Sequence, residues 1–132
     1  MKNRGFNMHR NKPHVDFIEL HILHHASVGP LYGLWMIEEL AEHGYKLNAS
    51  QLYPRFHRLQ DQGFLNRSDS VVDGRLRKYY RITRPGRLYL AEQRHRLVEL
   101  VGEALSAQEL EQALKKRRSR EKAKRRVAGP EP

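Results

Sequence analysis

The chain has 132 residues, enough for one modest domain built on a single hydrophobic core. Its 25 Lys and Arg against 15 Asp and Glu leave a formal charge of +10, which calls for a polyanionic partner, nucleic acid or an anionic membrane surface. Cysteine is absent, which excludes disulfides, a thiol nucleophile and any Cys-ligated zinc or iron–sulfur site.

No window approaches the roughly eighteen apolar residues of a membrane-spanning helix. No signal-type apolar segment follows the basic start Met1–Arg10. A soluble, cytoplasmic protein without a membrane partner is expected. The first element, Asp16 to about Ala26, is helical in pattern and apolar almost all round, with only a narrow sector near Glu19 left for water. Val28-Gly-Pro30 breaks it, and a second helix follows from about Leu31 to His43, closed by Gly44. Asn48 suits the N-cap of a third helix, in which Leu52, Phe56 and Leu59 share the inner face. Its outer face carries Ser50, Pro54, His57 and Arg58, flanked by Gln51 and Tyr53, and Gly63 ends it.

Leu65–Val72, then Asp73-Gly74, then Arg75–Ile82 reads as a β-hairpin, because Asp-Gly readily adopts the positive φ of a tight two-residue turn. Thr83 then caps a long fourth helix to about Leu105. One of its apolar stripes is Leu90, Leu97, Val101 and Ala104; a second includes Leu88, Ala91 and Val98. A small domain needs one such stripe, so the surplus is a candidate dimer seam, with Phe17 of the first helix added to it. Ser106-Ala-Gln-Glu109 is a capping box opening a short last helix.

Helix, helix, helix, hairpin, long helix is the order of a winged helix-turn-helix. The expected class is therefore mainly α with a two-stranded β wing and an appended C-terminal dimerisation helix. A basic arm over 1–15, a winged domain over 16–83, a dimerisation segment over 84–114 and a disordered basic tail over 115–132 complete the division. The charge map fits this order. Residues 46–87 hold ten basic groups against three acidic ones, and 115–126 hold nine against one. Double-stranded DNA is the expected partner. On the third helix Gln51 suits adenine, Arg58 suits guanine or a phosphate, and Ser50, Tyr53 and His57 reach phosphates or base edges. Arg75, Arg77 and Lys78 past the turn suit backbone phosphates or the minor groove. A small basic RNA-binding or ribosome-associated protein is the alternative.

Gly29-Pro-Leu-Tyr-Gly33, Leu52-Tyr-Pro54 with His57-Arg58-Leu59, Gly63-Phe-Leu65, Gly74 and Arg77-Lys-Tyr-Tyr-Arg-Ile-Thr83 with Gly86 together resemble the PadR family of bacterial transcriptional regulators. The resemblance spans roughly residues 16–105. It implies a winged-helix homodimer on operator DNA, usually a repressor, released by a small-molecule effector, with the dimer formed through the C-terminal and N-terminal helices. Ser50-Gln51 and Gly33-Leu-Trp35 depart from the family's usual Gly-Thr or Gly-Ser and Gly-Tyr-Glu, and the basic tail lies outside its pattern. Trp35, the single tryptophan, reads either as core filler or as an aromatic platform lining an effector pocket.

His21, His24 and His25 fall on one side of the first helix, and His21 with His25 has the i, i+4 spacing of a two-ligand metal face. No Cys is available and no matching Glu-x-x-His partner stands out, so packing or interfacial roles are expected and neither metal nor cofactor is. Metal sensing and a pH-sensitive interface are the alternatives. No nucleophile–base pair, phosphate loop or carboxylate pair is present, so no enzyme is expected.

Overall fold

The computed structural model describes residues 14–128, so most of the expected N-terminal arm lies outside the described residues. They form two compact units, one up to Gln93 and one from Arg94.

In the first unit, helix α1 spans Phe17–Val28 and starts at Asp16, whose carboxylate accepts the Glu19 N–H at 2.9 Å. The buried positions of α1 are Glu19, Ile22, Leu23 and Ala26, the i, i+3, i+4, i+7 stripe of a helix packed on a core. Glu19, expected at the water-facing sector, therefore stands at the first position of the buried stripe. The reason lies on another helix: Arg55 and Arg58 both bring their guanidinium groups to its carboxylate. A buried charge is tolerated where oppositely charged groups surround it.

Leu31–Tyr32, expected as the start of the second helix, forms a short strand β1, and helix α2 begins at Gly33 and runs to Glu42. Pro30 opens this segment in an extended form. β1 then pairs antiparallel with strand β3, Leu31 opposite Tyr80 and Tyr32 opposite Tyr79. Helix α3 spans Ala49–Asp61, strand β2 Leu65–Val72 and β3 Arg75–Ile82. The wing is thus part of a three-stranded antiparallel sheet in the order β1-β3-β2. β1 covers part of an edge of β3 that would otherwise present unpaired backbone groups. The hairpin has the expected register, Val72 opposite Arg75, and Asp73 and Gly74 both take positive φ (53° and 75°) in the turn.

Ile22, Leu23, Met36, Leu40, Leu52, Phe56, Leu59 and Leu65 form a continuous core with Tyr80, which packs on Phe56 at 4.3 Å between ring centroids. The pair Tyr79–Tyr80 splits as its alternation demands: Tyr80 is buried and Tyr79 is half-buried. Thr83 ends β3 and starts helix α4, Arg84–Ala104, by donating its hydroxyl to the Gly63 carbonyl and accepting the Gly86 N–H. Gly86 lies against the backbone of Phe64, where an added Cβ would meet the carbonyl oxygen at 2.3 Å. Tyr89 stacks on Phe64, and Leu90 joins the core at 3% exposure. Leu90, expected in the dimer seam, is therefore occupied within its own chain.

The second unit contains the rest of α4 and helix α5, Ala107–Ala128, opened by the expected capping box. Where a disordered tail was the expectation, 115–126 continue α5 as helix, and the Lys and Arg residues of 115–125 are exposed. No helix is long and apolar enough to cross a membrane among the described residues.

Candidate nucleic-acid interface

Helix α3 is held at its start by a full capping box. The Asn48 side chain accepts the Gln51 N–H at 3.0 Å, and Gln51 Oε1 accepts the Asn48 N–H at 3.0 Å. The Asn48 N–H is satisfied this way, and the Gln51 N–H, which also reaches the Asn48 carbonyl at 3.1 Å, gains a second acceptor. Ser50 adds its hydroxyl to the Asn48 side chain at 2.7 Å. Pro54 lies inside the helix without interrupting it, and its missing N–H costs the helix one backbone hydrogen bond.

Ser50, Gln51, Pro54 and His57 are exposed along one side of α3. Tyr53 is half-buried, with its ring edge-on to Phe56 and its hydroxyl seated where a Cβ on residue 33 would stand, so Gly33 is the space it occupies. Arg58, expected as a guanine or phosphate contact, instead directs its guanidinium to Glu19, although half of its side chain remains accessible. Arg55, which sequence reasoning passed over, bridges Asp16 at 2.6 Å and approaches Glu19 at 3.6 Å. Both arginines tie α3 to the first turn of α1. Their spacing, i and i+3 opposite i and i+3 in Asp16 and Glu19, is the signal that could have revealed this.

The sheet carries further cations, one of which, Lys78, stands beside α3. Lys78 Nζ lies 5.6 Å from the centroid of the Tyr53 ring, and the Arg77 guanidinium lies 4.1 Å over Tyr32. Both are cation–π placements, which fix long side chains that would otherwise sample many rotamers. Arg75 is exposed beside the turn. On β2, Arg67 and Asp69 form a two-pronged pair at 2.9 Å. The geometry brings Ser50, Gln51, Tyr53, Pro54 and His57 of α3 together with Lys78 of the wing, while Arg77 lies over Tyr32 of β1, Arg75 stays exposed at the turn and Arg58 is directed away to Glu19.

A family model described as the transcriptional regulator PadR-like family matches residues 22–92. The chain belongs to the PadR-like family. A transcriptional regulator of Mycobacterium tuberculosis is 46% identical over 91 residues, covering 69% of this chain and 85% of that protein. A crystal structure of a PadR family transcriptional regulator from Eggerthella lenta shares 30% identity at a TM-score of 0.56, covering 80% of this chain and 92% of the other. The crystal structure of Bacillus subtilis PadR in complex with operator DNA has the same fold at 21% identity and a TM-score of 0.55, over 83% of this chain and 71% of the other. This PadR-like chain is thus a member of a family of transcriptional regulators, not of enzymes.

Two further groups of expected residues find their places in the PadR-like chain. Trp35 is not core filler: it is partly exposed and lines a cleft of about 380 Å³ with His25, Val28, Pro30, Leu31 and Tyr32. Of the expected seam, Phe17 and Ala104 are exposed and Leu97 and Val101 are half-buried, while Val98 and Leu100 beside them are largely exposed.

Proposed function

We propose that this regulator binds operator DNA as a homodimer, placing α3 of each protomer in a major groove and the wing on the flanking backbone. The observation that carries this reading is the position of Lys78, whose Nζ lies 5.6 Å from the Tyr53 ring and so sets one wing cation beside the reading helix. An α-helix fits the major groove, and cations beside it neutralise the phosphates that line it. Gln51, His57 and Ser50 offer side-chain donors and acceptors toward base edges, and Arg75, Arg77 and Lys78 face phosphates. Arg55 and Arg58 brace the helix from behind through Asp16 and Glu19. The related fold of a PadR solved with operator DNA supports the same placement.

The dimer seam is assigned to the C-terminal helix, through Leu97, Val98 and Val101, with Phe17 of α1 as a separate contribution. The regulator acts as a repressor, and a small apolar effector entering the Trp35 cleft releases it. The basic face of α5 adds sequence-independent affinity. Two-fold symmetry then sets palindromic half-sites about one helical turn apart.

Anisotropy titrations on an operator duplex and on an unrelated duplex, at one salt concentration, test the reading helix. Gln51→Ala and His57→Ala are each expected to lower the ratio of specific to non-specific affinity by roughly 10-fold or more, because one base contact is worth about 1–3 kcal/mol. Thermal melts separate this from the lost cap of Gln51. Equal weakening on both duplexes would show that α3 is not the reading helix.

A further inference from the structure

The histidines of α1 do not face their own helix alone. His21 and His25 stand one turn apart on α1, and Glu39 and His43 stand one turn apart on α2. The two helices bring these i, i+4 pairs together. The His21 and His43 rings stack at 4.6 Å between centroids. Glu39 Oε2 lies 3.3 Å from His25 Nε2 and 3.1 Å from His43 Nε2. One ligating atom from each of the three histidines can be chosen so that all lie within 4.8 Å of one another. Tyr45 and Trp35 close the sides, edge-on to His21 and His25.

Packing alone does not call for this arrangement. None of the three imidazoles is in the core, where the α1–α2 contact is already supplied by Ile22, Leu23, Met36 and Leu40. Two of the rings share a single carboxylate and the third stacks against one of them, so charging more than one brings repulsion. Three nitrogen donors and one oxygen donor, converging from two rigid helices, are the donor set of a borderline divalent transition metal. We propose that His21, His25, His43 and Glu39 form a binding site for one such ion, of the zinc class. Donors about 2.0–2.1 Å from a tetrahedral zinc stand about 3.4 Å apart. His43, at the C-terminal end of α2, is the most exposed of the three, and its movement on binding closes the remaining distance. Burial, with the neighbouring imidazoles adding to it, holds His21 and His25 below the ordinary histidine pKa, so neutral rings are available near neutral pH. The ion would join α1 to the end of α2, immediately before the loop that leads to the cap of α3.

The test needs no nucleic acid, so its outcome is independent of the DNA reading. Tag-free, chelator-stripped full-length protein is titrated with Zn²⁺ by calorimetry and with Co²⁺ by visible absorption. One ion per chain is expected, with the strong ligand-field bands of four-coordinate cobalt. His43→Gln and His21→Gln are each expected to weaken binding by more than about 100-fold, since even the outer partners of metal ligands are worth about 10–100-fold. His43→Cys is expected to keep the site and add a thiolate-to-cobalt band, which a loss of folding could not produce. His95→Gln, outside the cluster, is expected to leave the affinity unchanged. Absence of saturable binding overturns the proposal, and so does binding that survives His43→Gln and His21→Gln, or a His43→Cys protein without the new band.

Discussion

Arg58→Ala strands a carboxylate. Glu19 is only 1% exposed, so it cannot recover its hydration when its nearest cation is removed, and Arg55 at 3.6 Å is left to compensate. Breaking a fully buried pair costs about 3–5 kcal/mol. With the second arginine remaining, about 2–3 kcal/mol is expected, or a Tm lower by about 6–12 °C at this chain length. The converse change is cheaper. Glu19→Gln leaves a guanidinium that is 53% exposed and rehydrates freely, so about 1 kcal/mol is expected. In the Glu19→Gln background Arg58→Ala then costs little, which gives a coupling energy of about 1.5–2 kcal/mol. Urea unfolding followed by circular dichroism, at one fixed protein concentration, measures all three variants. Additive effects, with coupling below about 0.5 kcal/mol, would refute the claim that Arg58 serves the fold through Glu19.

Gly86→Ala is expected to lower stability by about 1–3 kcal/mol, because its Cβ would stand 2.3 Å from the Phe64 carbonyl oxygen and 2.8 Å from Ile82, whereas Gly29→Ala meets nothing within 4 Å; equal midpoints in urea would contradict this. His21 and His25 have folded pKa values below 6.5, chiefly from burial and next from His43 for His21, with His24 adding and Glu39 opposing. The unfolded chain therefore binds more protons between the two values, so in chelator their contribution is complete above about pH 6.5 and is lost as the pH falls through the folded pKa values. Unfolding midpoints against pH, in wild type and in His21→Gln/His25→Gln, check this: the slope flattens in the variant, and an unchanged slope would place the titrating groups elsewhere. Leu97→Glu is expected to give monomers by light scattering, because a carboxylate in an apolar seam loses its hydration without a partner; an intact dimer would move the seam off α4.

The outer frame was legible because local chemistry and packing agree there. Asp73-Gly74 tolerates the turn geometry directly, and the Leu52, Phe56 and Leu59 face of α3 has no other use than a core. What stayed illegible depends on partners distant in sequence. Glu19 reads as a surface residue until Arg55 and Arg58 are placed against it, and the same contact turns Arg58 from a reading residue into a brace. Gln51 reads from the sequence as a base contact, but its Oε1 closes the cap of α3. Leu31–Tyr32 could join a helical pattern, yet β3 offers an open edge that only the tertiary fold reveals. Leu90 sits on an apolar stripe like the seam residues, and nothing local says that it joins the buried cluster of its own chain. His21 and His25 stood out as a pair. Their complement was hidden because Glu39 and His43 are spaced by four residues, on a helix whose approach no periodicity announces.

The central claim is that α3 and its wing read duplex DNA. Selection of bound fragments from a randomised duplex library by the full-length chain, with structured RNA as competitor, tests it most directly. A palindromic consensus with half-sites about 10 base pairs apart is expected, weakened selectively by His57→Ala, with duplex retained against RNA. Enrichment without any consensus, or displacement of the duplex by structured RNA, would contradict it.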